Sequence, residues 1–208
     1  NQPDQGDEDR NQRDGKRLEK TLIARGVRGV LFGFSGHHPE GFDFPLENFS
    51  VAGLSTYFRE FTLDRANFHG LHNVRVALQE MRNLGYRRIG LVIPEFNNRI
   101  SGHQWSGGAL DWQRHQHNGS YCAPLILEEG NEEERFDEWM ITENPDAIIV
   151  YKFPVHRWLA RLGLRVPQDV ALSFLYRSDS EKKIGAGIDG NLDLVGAAAF
   201  ALVVEALR

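Results

Sequence analysis

Arg99, Tyr151 and Lys152 carry the side chains best suited to gripping a small polar molecule. Arg99 follows the apolar run Ile89-Gly-Leu-Val-Ile93, and Tyr151 and Lys152 directly follow Ala147-Ile-Ile-Val150. A guanidinium binds a carboxylate or hydroxyls through two parallel hydrogen bonds, an ammonium is a compact donor, and a phenol both donates and accepts. Ligands of parallel α/β sheets collect at the carboxyl ends of the strands, where these residues fall if the two runs are strands. Plainer readings stand beside this one: Arg99 as an exposed arginine at a helix start, and Lys152 as a surface lysine at a strand tip. Trp105, shortly after Arg99, offers an aromatic face to a sugar ring. Yet Trp105, Trp112, Trp139 and Trp158 all lie in amphipathic helical patterns that suit core or groove packing. Phe34, Ser35 and Ser55 end earlier apolar runs and can face the same site.

Bond-making chemistry finds little support in the chain. Gly33-Phe-Ser-Gly-His37 follows a strand-like run, but a nucleophile elbow needs glycine where His37 stands, and His38-Pro39-Glu-Gly41 is no helix start. His37-His38 and His115-Gln-His117 lack the i, i+4 spacing or the companion ligands that place several donors on one cation, so neither metal nor cofactor is expected. Cys122 is the single cysteine, which excludes an intrachain disulfide and a cysteine-based zinc site and permits a reducing compartment. A net charge of −5 argues against this segment itself gripping a phosphate backbone. No apolar run approaches the roughly 20 residues of a membrane span, and the start of the chain has no signal-peptide pattern. With 208 residues, the chain can bury one large core or two smaller ones.

The elements that must position these residues repeat one local pattern. Leu71, Val74, Leu78 and Met81 recur at helical spacing, Gly85 closes that helix, and Arg87-Arg88 leads into the run at 88–93. Helix, glycine, basic residue and strand recur at Arg25–Phe32 and, with a longer link, at Leu162–Phe174. Such repetition predicts βα units around a parallel sheet. The polar residues 1–15 read as a loose end, followed by a helix from about Lys16 with Leu18, Leu22 and Ile23 inward. Strands are expected at 27–34, 50–55, 58–63, 88–93, 124–127, 147–151 and 170–175, with an extended piece at 186–189. Further helices are expected at 98–114, where Gly107-Gly108 weakens the pattern, and at 131–139 and 156–162. Glu132-Glu-Glu134 suits a helix's first turn. A last helix from Leu192 carries Val195, Ala198, Ala199, Leu202, Val203 and Ala206 as an apolar stripe and is expected to be still running at Arg208.

Leu84-Gly-Tyr-Arg-Arg-Ile-Gly-Leu91 resembles the LGHRRIG signature of LacI/GalR-type transcriptional regulators. Ile23–Phe32 resembles their RGVDGII segment, Pro145-Asp-Ala-Ile-Ile149 their PDAI strand, and Gly163-Leu-Arg-Val-Pro-Gln-Asp-Val-Ala171 their GLRVPEDVA turn. Ile188–Ala198 resembles the start of their closing helix, and all five come in the family's order, from about residue 18 onward.

The resemblance implies an α/β, two-lobed, periplasmic-binding-protein-like (type I) fold, each lobe a doubly wound, mostly parallel sheet. Residues 1–66 would be a partial N-terminal lobe, 67–187 the C-terminal lobe, and 188–208 the crossover and helix returning to the first. It also implies a small-molecule effector, a sugar or related metabolite, between the lobes of a cytoplasmic homodimer with no membrane contact. Operator DNA would be read by a helix-turn-helix domain absent from this chain, which also lacks the family's opening strand-helix-strand and final strand and so reads as part of a longer regulator. Arg99, in Arg99-Ile-Ser-Gly102, resembles the family's effector-contacting arginine. Asp189 and Asn191 lie in the segment that resembles the interlobe crossing, where a polar side chain touches ligand, although Gly190 takes the usual glutamine's place and Asp-Gly-Asn also suits a plain turn. Tyr151-Lys152 stands where the family carries Asn-Asp. A cation in place of a carboxylate points to an anionic or carbonyl-bearing effector. A solute-binding protein that serves a membrane transporter shares this architecture and is the alternative.

Overall fold

The computed structural model describes residues 5–33, 44–54, 62–115, 122–177, 181 and 184–208. The chain divides into two compact units, Asn1–Phe68 with Asn191–Arg208, and His69–Gly190.

In the first unit, β1 (Gly29–Phe32), β2 (Ser50–Leu54) and β3 (Asp64–Ala66) form a parallel sheet in that order. Helix α7 (Leu192–Glu205) packs across all three strands, with Val203 lying over Gly29 and the Val203 carbonyl accepting from Ser50 Oγ at 2.7 Å. Four expectations are corrected here. Helix α1 spans Gln5–Ala24 instead of starting near Lys16, because adding residues to an existing helix needs no new nucleus. Leu18 and Ile23 are exposed and Leu22 half-buried, since α7 is the helix laid across the strands. Of the strand expected at 58–63, residues 58–61 lie outside the described residues and Thr62 and Leu63 are not strand; Asp64-Arg-Ala66 forms the strand instead. Its place is set by pairing with β2, Ala52 opposite Asp64 and Leu54 opposite Ala66, which the polar character of the segment concealed. Finally, α7 closes at Glu205 with Ala206 as its cap, and only Ala199 and Val203 of its expected stripe are buried.

The second unit runs α2 (Gly70–Asn83), β4 (Ile89–Pro94), α3 (Glu95–Ile100), α4 (Gln104–Arg114), β5 (Leu125–Leu127), α5 (Glu132–Glu143), β6 (Ala147–Val150), α6 (Val155–Arg161), β7 (Ala171–Phe174) and β8 (Ala186–Gly187). Its sheet is parallel throughout, ordered β5-β4-β6-β7-β8. Counted from β4 this is 2-1-3-4-5, the flavodoxin-like winding. Strands covered on both faces are apolar at nearly every position, as β4, β6 and β7 are. Val92, Leu125, Leu127, Ile148, Val150, Leu172 and Phe174 pack with Phe136 and Trp139 of α5 and Trp158 and Leu159 of α6. On the opposite face α2 crosses β4 and β6.

The single helix expected at 98–114 is two. The chain turns at Gly102 and His103, both left-handed at φ 72 and 59, around Asn98, which is 1% exposed. Asn98 accepts from the backbone N–H of Ser106 through Oδ1 and from that of His103 through its carbonyl (3.4 and 2.8 Å), while its amide meets His103 Nδ1 at 3.1 Å. The glycines at 107 and 108 leave α4 unbroken. A Cβ on Gly108 would sit 2.6 Å from Val74 Cγ1, so that glycine serves the close approach of α4 to α2.

The amino end of the sheet is stitched by charge. Asp146 accepts from the backbone N–H groups of Arg87 (2.7 Å) and Arg88 (2.9 Å), and the Arg88 side chain donates to the Glu143 carbonyl through Nε at 2.8 Å and through Nη2. Before β7, Asp169 accepts from the backbone N–H, Nε and Nη2 of Arg165, each at 2.8 Å. These hydrogen bonds from Arg165 hold the Asp169 carboxyl well below the usual carboxylate range.

A group so depressed contributes stability above its unfolded pKa near 4 that is lost as pH falls through the folded value. Urea titrations of parent and Asp169→Asn should therefore differ at pH 7 and converge as the pH drops below about 4. Gly90 of β4 leaves room for Trp139: a Cβ there would lie 2.5 Å from Trp139 Cζ2. Gly90→Ala should cost about 1–3 kcal/mol by overpacking, read as a lower urea midpoint with unchanged slope.

Candidate functional site

A sheet wound 2-1-3-4-5 reverses direction between its first and third strands, here β4 and β6, and the connections leaving their carboxyl ends part to opposite faces. From β4 the chain runs into α3 and on to α4, which packs on α2; from β6 it runs into α6, which joins the opposite core. The crevice left between such exits is where ligands of this class of sheet bind.

The floor of that crevice is pinned by the Tyr151 N–H, which donates to the Val92 carbonyl at 3.0 Å. Lys152 follows in the left-handed region at φ 66, spanned by a bond from the Phe153 N–H to the Tyr151 carbonyl at 3.0 Å. This tight three-residue turn is a strained conformation, of the kind that clusters at ligand clamps. The exposed Lys152 ammonium lies 5.4 Å from the centroid of the Tyr151 ring. A cation over an aromatic face is attracted to it.

Behind Tyr151 stand two more rings. Trp105 from the first turn of α4 lies 4.7 Å from Tyr151, and Tyr176, just beyond β7, lies 5.7 Å from Tyr151 and 5.8 Å from Trp105, centroid to centroid. Gly70 admits the indole, since a Cβ there would meet Trp105 Nε1 at 2.9 Å. The Tyr176 hydroxyl accepts from Asn73 Nδ2 at 3.3 Å, while the buried Trp105 N–H approaches that hydroxyl at less than full hydrogen-bond geometry. Burial pushes the Tyr176 phenol up to about 12 against the opposing pull of these two N–H groups. Burial, aided by the Glu181 carboxylate, also raises Tyr151. Both phenols are therefore neutral donors at physiological pH.

Arg99 is exposed on α3, its guanidinium carbon 6.0 Å from the Phe96 ring centroid. Among the expected residues, the structure brings Trp105, Tyr151 and Lys152 together at the exit of β6 and puts Arg99 on the connection leaving β4. Trp105, at 3% exposure, backs Tyr151. Asp189 is exposed beyond β8 in the second unit, whereas Asn191 belongs to the first, where it heads α7 at φ 47. Phe34, Ser35 and Ser55 lie outside the described residues. Tyr176 and Asn73 were not anticipated. The rule that singled out Tyr151, a polar aromatic just past a buried strand, applies equally to Tyr176, but nothing in the sequence marks Asn73. A pocket of about 380 Å³ opens on α2 and α4, lined by residues including His69, Arg75 and Trp112; neither Arg99 nor Lys152 lines it.

Residues 78–207 match the family model of the periplasmic binding protein-like domain. The chain belongs to that family. This periplasmic binding protein-like domain is similar in fold to a regulatory protein of the LacI family from Chloroflexus aggregans, with a TM-score of 0.71 at 17% identity over 94% of this chain and 74% of that one. It is also similar to a LacI family transcriptional regulator from Lactobacillus casei with bound glucose (TM-score 0.62, 18% identity, 92% of this chain and 77% of that one). A third, a LacI family transcriptional regulator from Enterococcus faecium with bound ribose, has a TM-score of 0.63 at 15% identity over 97% of this chain and 85% of that one. No curated protein matches the chain in sequence.

A raised phenol favours the fold below its unfolded pKa near 10, and that contribution is lost as pH rises through the folded value. Between pH 10 and about 12, Tyr176→Phe should therefore lose less stability than its parent, and its phenolate absorbance titration should lack the component near pH 12.

Proposed function

We propose that this domain is the ligand-sensing part of a bacterial LacI-type transcription regulator, holding a small effector at the carboxyl edge of its five-stranded sheet. The observation that carries the reading is the switch point itself. Arg99 lies on one of the two connections that part there, and Tyr151 and Lys152 begin the other, at the carboxyl edge where doubly wound sheets bind ligands. The regulators with bound glucose and ribose support a sugar or related metabolite as the effector.

On this reading the unit His69–Gly190 is the C-terminal lobe and the other unit belongs to the N-terminal lobe. An effector that binds one arrangement of the lobes more tightly than another shifts the population toward it. In a cytoplasmic homodimer that shift would alter how helix-turn-helix domains meet operator DNA. The work asked of the site is donation and acceptance of hydrogen bonds, with no bond made or broken.

Thermal unfolding of the chain with ribose, glucose, glucuronate and glucose 6-phosphate tests this. A ligand at about 100 times its Kd should raise the melting temperature by roughly 5–10 °C, and Arg99→Ala should abolish most of the rise. A panel without a single stabilising member would refute the sensor reading, and a full rise in Arg99→Ala would remove that arginine from the site.

A further inference from the structure

We infer that the outer side of α7, next to the edge of β1, is a self-association surface that takes a second copy of this chain with its own α7 antiparallel. The surface deepens the dimeric part of the sensor reading but is argued from the first unit alone. Leu194 and Phe200 are 68% and 62% exposed on α7, whose only buried residues are Ala199 and Val203. Large apolar side chains left in water along one helix mark a contact surface, whereas scattered ones do not.

The exposure follows a row. Asp193, Ala197, Phe200, Val204 and Leu207 are spaced four, three, four and three residues apart, the spacing at which one helix packs lengthwise on another. Leu194, Ala201 and Arg208 each stand one position further on, on the same exposed side. The Leu207 and Arg208 N–H groups donate to the Val204 and Glu205 carbonyls at 3.2 Å, so the turn carries the row past the end of the helix. A Cβ on Gly29 would lie 3.6 Å from Leu207 Cδ1, which puts the row on the β1 side of α7. Among the described residues β1 pairs with β2 alone, and its Leu31 is exposed. An edge strand of this kind is a template for another chain.

Charge selects the occupant. The row begins at an acid, Asp193, and closes beside a base, Arg208, both exposed. A parallel copy would set like charge against like. Turned antiparallel about Phe200, a second α7 places Ala197 opposite the partner's Val204 and Asp193 opposite the partner's Arg208, and the same pair recurs at the other end. Such a two-fold contact is complementary to itself and closes as a dimer, with no growing chain. Antiparallel helices also set a positive N-terminus beside a negative C-terminus. Ala197 and Ala201 are small, and between them they leave the hollow that a phenylalanine knob from the facing helix fills.

Sedimentation velocity of the full chain between about 1 and 200 µM should show a dimer forming. Phe200→Asp should weaken it about 10-fold or more, with the urea midpoint unchanged because the position is exposed, whereas Ile141→Asp, on an exposed site of the second unit, should leave it intact. Asp193→Arg should weaken the dimer by setting like charges together, and Asp193→Arg with Arg208→Asp should restore it to within about 3-fold of the parent. The charge exchange decides the matter if Phe200→Asp lowers the urea midpoint. A chain that stays monomeric throughout would overturn the inference and leave the thermal test of ligand binding as it stands. A dimer indifferent to Phe200→Asp, or a double variant no tighter than Asp193→Arg alone, would overturn it equally.

Discussion

The pairing of β4 with β6 is the constraint on which the second unit depends. Ile89 through Val92 lie opposite Ala147 through Val150, and this register is closed at both ends. At the amino end the Asp146 carboxylate takes the two backbone N–H groups that precede β4; at the carboxyl end Tyr151 gives its own N–H to Val92. Side chains alternate between faces, so a slip of one residue would turn Ile148 and Val150 out of the core they share with α5 and α6. The same slip would redirect Tyr151 and Lys152. Core and site therefore answer to one set of backbone hydrogen bonds.

Packing against that pair is close enough to dictate residue size. The Trp139 ring reaches β4 because position 90 has no side chain, and α4 reaches α2 because position 108 has none. Across the neighbouring seam Gln113 donates to the Cys122 carbonyl at 2.9 Å, tying the end of α4 to the entry of β5. Burial pushes the Cys122 thiol up to about 12, which leaves it protonated and inert. The polar groups that remain available for recognition lie at the strand ends, where the packing stops.

Patterns local in the chain were legible in the sequence. Gly26, Gly85 and Gly163 all have positive φ at the close of a helix, and the strands they introduce are parallel. The segments around Arg87-Arg88 and Asp146, which carried the family resemblance, are the two halves of one clamp. What escaped was made by long-range contact. The break between α3 and α4 depends on a buried asparagine reaching across a turn, and β3 is a strand by pairing alone. Arg99, Tyr151 and Lys152 could be placed because each follows an apolar run. Tyr176 and Asn73 meet across more than a hundred residues, and no spacing in the chain announces that they do.

The charged stitches and the candidate ligand groups occupy opposite ends of the same strands. Asp146, Arg88 and Glu143 secure one end, while Lys152 extends from the other with its ammonium outside the core. A tip residue can therefore be exchanged while the foundation stays intact.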